Sequence, residues 1–260
     1  MRSYLVLPAV ALGVALCAAC ATLNGEQAPP DYAADANTNL QRGNAAFDAK
    51  NFEEAQRYYE YVRTRYPFLD AAKEAELRIA DSYFEREQFI EARDAYDNFV
   101  KLHPTYPRAD YAAFRSALTH YKDIPSDFFL LPPPEEKDQV EVRAAVSAMN
   151  DFVRQYPKSK FVPEAQQVIA EARKRLAKHE LYVADFYARR EKWRAVVNRL
   201  QTVVKDYPGL GFDEQALFGL YDAYNRLKEP DHARQALEQL IQRLPGTAAA
   251  EKAKALLGRS

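Results

Sequence analysis

Cysteine is nearly absent from this chain of 260 residues: there are two, Cys17 and Cys20, both near the N-terminus. No disulfide framework is available to staple a fold, so the folded part must be held by its apolar core. Glycine is scarce, with 8 residues, and there is a single tryptophan, Trp193. Charge of one sign is missing too. Lys and Arg number 36 against 37 Asp and Glu, a net charge of -1, so nothing pulls the chain toward nucleic acid. The longest uncharged apolar run, Tyr4 to Leu16, has 13 residues, short of the roughly 20 that a spanning helix needs. The motifs GxSxG, GxGxxG, HExxH and the P-loop are absent as well. The four histidines (His103, His120, His179 and His232) stand far apart with no metal-ligand spacing. Abundant Asp and Glu alternate with Lys and Arg in helix-forming sequence, as on a solvated helix surface. Catalysis and metal binding are therefore not expected, and no cofactor is.

What is present begins at the N-terminus. Arg2, the apolar run and the small residues before Cys20 follow the order of a secretory signal peptide. Cys17-Ala18-Ala19-Cys20 resembles the lipobox of bacterial lipoproteins, which implies cleavage before Cys20 and acylation of that residue. Residues 1–19 are then the signal peptide, and 20–36 a lipidated N-terminus and flexible tether rich in Ala, Pro, Asp and Gln. Ala21 is not the Asp of the inner-membrane retention signal, so the expected location is the outer membrane, lipid-anchored on the periplasmic face.

Beyond the tether the sequence repeats. Five times a small apolar residue precedes a proline by 12 positions: Ala55 and Pro67, Ala92 and Pro104, Ala145 and Pro157, Val196 and Pro208, Ala233 and Pro245. Four residues after each anchor stand Tyr59, Tyr96, Met149, Leu200 and Leu237; seven after it stand Val62, Phe99, Phe152, Val203 and Leu240. Those offsets share one helical face, and the proline ends the helix. A second helical pattern precedes each anchor, with small residues at Gly43, Ala80 and Ala184 where two helices approach closely. The pattern resembles the tetratricopeptide repeat (TPR) and predicts an all-α superhelix of five helix–turn–helix units. A capping helix over Thr247 to Leu257 closes it, with Thr247 as N-cap. The anchors are spaced 37, 53, 51 and 37 apart. The first long gap holds a Pro-rich insertion at 123–138, which separates N-terminal units over 37–122 from C-terminal units over 139–260. The second lengthens the helix that opens unit four.

In such a superhelix the first helix of each unit lines a concave groove suited to peptides. Asn44, Phe47 and Asp48 are expected to face it in unit one, and Asp81, Phe84 and Glu85 in unit two. Packing between repeats is the alternative role for Phe47 and Phe84. Phe128-Phe129-Leu130-Leu131 in the insertion needs cover, either from the solenoid or from a partner. Trp193 is expected between helices.

Particular strings go beyond a generic repeat: RYPF at 65–68, HPTYPRADY at 103–111, the Phe128-Phe129 insertion, and LAKHELYVADFYARREKWRAVVNRLQTVVKDYP at 176–208. They resemble the BamD (YfiO/ComL) family of outer-membrane assembly lipoproteins across nearly the whole mature chain. The sequence departs from that family at Leu130 to Pro134 and, more loosely, in its last unit. The resemblance implies a non-enzymatic scaffold of the β-barrel assembly (BAM) complex. Its partners would be unfolded outer-membrane β-barrel proteins, the POTRA region of BamA and other BAM lipoproteins. Arg199, in the VVNR string, is the position it implies for BamA contact, a solvated surface Arg being the alternative. Another envelope TPR lipoprotein, such as a secretin pilot or a cell-envelope factor, is the competing reading.

Overall fold

The computed structural model describes residues 30–124, 133 and 135–258. Among them are eleven helices and no strand. They run α1 (Ala36–Asp48), α2 (Phe52–Arg65), α3 (Asp70–Glu85), α4 (Phe89–Leu102), α5 (Ala109–Lys122), α6 (Val140–Gln155), α7 (Val162–Ala188), α8 (Trp193–Asp206), α9 (Asp213–Arg226), α10 (Pro230–Arg243) and α11 (Ala248–Leu257). Five consecutive pairs form the TPR solenoid, and α11 packs on α10 as its cap. Thr247 accepts from the Ala250 backbone N–H and caps α11, as the sequence predicts.

The anchor residues and their partners at offsets 4 and 7 are buried in all five units. Each closing proline follows the C-cap residue of the second helix, where a missing N–H costs nothing to the ladder. Gly43 is required by close approach: a Cβ there would lie 2.6 Å from Tyr59 Cε1.

Inside the units the turns use a device that sparse glycine conceals. Lys50, Glu87, Glu191 and Lys228, each five before its anchor, have φ of 60°, 58°, 55° and 61°. The next residue's N–H returns to the first helix, as in Asn51 to Ala46 O (2.9 Å) and Glu229 to Tyr224 O (3.0 Å). This is the Schellman closure, built here on charged residues instead of glycine.

The long α7, of 27 residues, joins the two halves. Its Ala165 and Val168 pack with α3 to α6, Ala172 and Leu176 with Val142, and Ala184 with the cluster of the last two units. Trp193 packs against that last cluster, as expected.

The end of the segment expected to be a flexible tether is in fact docked. Tyr32 stacks on Tyr61 with centroids 4.0 Å apart, and Tyr66 Oη donates to Ala34 O at 2.7 Å. Asn39 Nδ2 donates to Ala33 O at 2.9 Å while Ala33 N–H donates to Asn39 Oδ1 at 2.8 Å. These partners lie on α1, on α2 and at the α2 C-cap, so Tyr32, Ala33 and Ala34 are held against the first unit. Cys20, Phe128 and Phe129 lie outside the described residues.

Candidate partner-binding face

The first helices of units one to three carry one polar arrangement twice. In unit one, Asn44 Oδ1 accepts from Tyr59 Oη at 2.9 Å and from Arg78 Nε at 3.2 Å. The Arg78 guanidinium lies over the Phe47 ring, 4.0 Å from its centroid, and Phe52 meets that ring edge-on. Thirty-seven residues on, Tyr96 Oη donates to Asp81 Oδ1 at 2.6 Å, and the Arg115 guanidinium lies 3.7 Å from the Phe84 centroid. Phe89 completes that set edge-on to Phe84. Each arginine comes from the next unit, so this ladder fastens neighbouring repeats.

Asp81 has the richest environment. Besides Tyr96 it accepts from Tyr111 Oη at 2.8 Å, and Arg78 Nη1 reaches its other oxygen at 3.3 Å. Burial, then the Asp81 charge, pushes the Tyr96 phenol well above its ordinary range and raises Tyr111 as well. Burial alone would lower Arg115, but Tyr96, Tyr111 and Asp81 outweigh it and raise its pKa. Tyr59, in the first set, is pushed up to about 12, chiefly by burial.

This geometry corrects two of the expected groove residues. Asp81 is 2% exposed and Phe84 8% exposed, so neither is open to a ligand. The reason lies in the following unit, whose Arg115 and Tyr111 cover both. Asn44 and Phe47 are half-buried, Asp48 is exposed, and Glu85 is exposed with its carboxylate 3.0 Å from Arg115 Nη2. Nothing in the sequence alone singles out Arg78 and Arg115, which stand 34 residues after Asn44 and Asp81 and reach Asn44 and Tyr96 respectively.

The second candidate surface is 84 residues further along, at Arg199 of α8. Its Nη1 donates to Glu180 Oε2 at 3.0 Å. The Arg199 side chain is 41% exposed, whereas that of Glu180 is 8% exposed, so a held but accessible guanidinium faces outward. The histidines serve separate helix contacts: His103 with Glu76, His120 with Glu141, His179 with Glu135 O, and His232 with Glu229. At the loop closing unit one, Phe68 is 95% exposed, where the other units have Thr105, Lys158, Gly209 and Gly246. No described helix is long and apolar enough to cross a membrane.

A family model described as YfiO, outer membrane lipoprotein, matches residues 33–240. The chain is 28% identical over 220 residues to a Vibrio cholerae protein named outer membrane protein assembly factor BamD, covering 84% of this chain and 88% of that one. A protein of that name from Neisseria meningitidis serogroup B is 28% identical over 229 residues, covering 86% and 85%. The Caulobacter vibrioides protein so named is 26% identical over 242 residues, covering 91% and 74%.

Proposed function

Since the chain belongs to the YfiO family of outer membrane lipoproteins, we propose that it is a scaffold of the β-barrel assembly complex, binding incoming outer-membrane proteins and BamA to promote their folding and insertion. The family match across residues 33–240 carries this reading, together with relatives named as assembly factors over most of their length. Its role is recruitment and positioning, with no covalent chemistry.

The anchor belongs to the same proposal. Cys20, acylated, holds the chain on the periplasmic face of the outer membrane, and more than one acyl chain makes such binding durable. Tyr32 and Ala34, docked on Tyr61 and Tyr66, fix the start of the folded part after the anchor.

Two surfaces divide the work. The groove side of α1, α3 and α5 presents half-buried Phe47 beside exposed Asp48 and Glu85, with Arg78 and Arg115 held stiffly between them. Rigid aromatic and guanidinium groups give an extended chain both stacking faces and directional hydrogen bonds at small entropic cost. The outward guanidinium of Arg199 suits an acidic side chain on the POTRA region. Glu180 pairs with it in the free chain, so a partner carboxylate competes with that pair for the guanidinium.

The test is a detergent-solubilised pull-down of the acylated protein from its own envelope, identified by mass spectrometry. Near-stoichiometric recovery of a POTRA-containing barrel protein is the expected result. Recovery of a secretin without such a protein would withdraw the named complex and leave a lipid-anchored adaptor.

A further inference from the structure

We propose that the cleft between α7, α8 and α9 receives an arginine side chain from a partner protein. The reasoning starts from the ladder of the first units, whose parts recur at fixed intervals. From Asn44 and from Asp81, a Phe follows at 3 (Phe47, Phe84) and a second Phe at 8 (Phe52, Phe89). A Tyr follows at 15 (Tyr59, Tyr96) and an Arg at 34 (Arg78, Arg115).

Applied to the fourth unit, the same intervals start at Asp185 and reach Ala188, Trp193, Leu200 and Gly219. The carboxylate and a large aromatic ring are kept. The first Phe has become Ala, the Tyr has become Leu, and the arginine has become glycine. What the lost side chains leave is a cleft of about 480 Å³, lined by Leu181, Asp185, Trp193, Leu200, Gly219 and Asp222 among others.

The missing piece defines the occupant. Twice in this molecule, a guanidinium from the position equivalent to Gly219 lies over a ring, 4.0 or 3.7 Å from its centroid, and bonds to a polar group of the set, Asn44 or Tyr96. At the fourth unit position 219 is a glycine and has no side chain to reach in. Asp185 instead turns to Arg189 on its own helix, at 2.8 Å, in a pair whose side chains are 60% and 61% exposed. Such an exposed pair is weak and is readily exchanged for another cation. Two carboxylates, Asp185 and Asp222, face one guanidinium among the lining residues, Arg226, which stands 5.5 Å from the Trp193 ring. Once Arg189 is displaced from Asp185, two carboxylates face one guanidinium and one more cation is accommodated, and the apolar floor of Leu181, Trp193 and Leu200 favours one with a long alkyl stem. Arginine supplies the stem, a planar face for the indole and a fork for the carboxylate, a combination that lysine lacks.

Because Trp193 is the only tryptophan, the full chain reports on this cleft through its own fluorescence. The probes are the capped tripeptide Leu-Arg-Leu and its citrulline analogue, which has the same shape without the charge. The expected result is a saturable change in Trp193 emission with the arginine peptide, about tenfold tighter than with citrulline. In Asp185→Asn that difference should disappear. Gly219→Arg should occupy the cleft in cis and remove binding; its Cβ would meet only the Leu200 side chain, nearest at Cδ1 (2.7 Å), a methyl that must shift. Equal affinity for the two peptides, a preference that survives Asp185→Asn, or no saturable binding of the arginine peptide would each overturn the proposal. The measurement needs only the folded chain, so its failure leaves the assembly-factor reading where it stands.

Discussion

The Arg115 guanidinium lies 3.7 Å from the centroid of the Phe84 ring, and the two residues belong to different repeats. One contact thereby joins units two and three and decides which of their side chains remain open. The network beneath it rests on Asp81, which holds two tyrosines and Arg78 at 2% exposure.

Asp81→Ala leaves two largely buried phenols and a guanidinium without their acceptor. The expected cost is about 3 kcal/mol, the scale for removing one partner of a buried charged pair. For a chain of this size that lowers Tm by about 6–12 °C. Asn44→Ala, at the half-buried equivalent position, should cost about 1 kcal/mol, as for an ordinary hydrogen-bond partner. Thermal unfolding followed by circular dichroism compares the two; equal losses would show that Asp81 is not the stronger hub.

Phe84→Ala should destabilise by about 3 kcal/mol, because it empties a buried ring site under a guanidinium. A loss of substrate binding in that variant would report folding as much as recognition. Glu85→Ala is the diagnostic change, since its own carboxylate is exposed and its pair with Arg115 contributes little to stability. The expected outcome is an unchanged Tm with weakened binding of an unfolded outer-membrane protein segment, measured by fluorescence anisotropy. Unaltered binding would remove Glu85 from the groove.

For Arg199, simple charge reversal would set a carboxylate against nearly buried Glu180 and disturb the fold. The double change Arg199→Gln with Glu180→Gln removes both charges while keeping side-chain length. It should unfold like the parent yet lose most affinity for the barrel subunit. Glu180→Gln alone frees the guanidinium and should strengthen binding. Surface plasmon resonance against an isolated POTRA region reads both; weaker binding by the single variant would contradict the assignment.

Lys50→Gly and Glu87→Gly should each stabilise the chain by about 0.5 kcal/mol. The left-handed turn costs a side-chain-bearing residue about 1–2 kcal/mol, part of which is offset by the greater chain entropy of glycine when unfolded. Urea midpoints check this, and a lowered midpoint would mean that the side chains do more than close a turn.

The phenols predict an alkaline limit. Tyr59 titrates at about 12 when folded, chiefly because of burial, against 10 when unfolded. The folded state therefore holds a proton that the unfolded state has released between those values, and stability falls as pH rises from 10 toward 12. Tyr96, also raised by burial, acts in the same direction. Phenolate absorbance and ellipticity recorded together should show delayed ionisation followed by unfolding. Ionisation of every tyrosine near pH 10 with the helices intact would refute it.

Much of the architecture was written in the sequence by itself. Burial at anchor, anchor plus 4 and anchor plus 7 is a local consequence of helical period, so five units and a cap are legible without coordinates. The closing prolines mark helix ends because a missing N–H acts wherever it stands. The family strings, including VVNR around Arg199, need no structure to be noticed.

Other features needed the tertiary structure. Asp81 and Phe84 lie on the predicted side of their helix, but Arg115 and Tyr111 arrive from the next repeat to cover them. Helical period says which way a side chain points, not what closes over it. The turns at Lys50, Glu87, Glu191 and Lys228 are hidden because residues with no local preference for the left-handed region are held there by Schellman bonds. Tyr32 and Ala34 look like tether until Tyr61, Tyr66 and Asn39 come together to bind them. Gly219 is one small residue in a helix until stacking places it where two other repeats insert an arginine. Short-range periodicity fixed the elements; exposure, pairing and the open cleft came from how one repeat lies against the next.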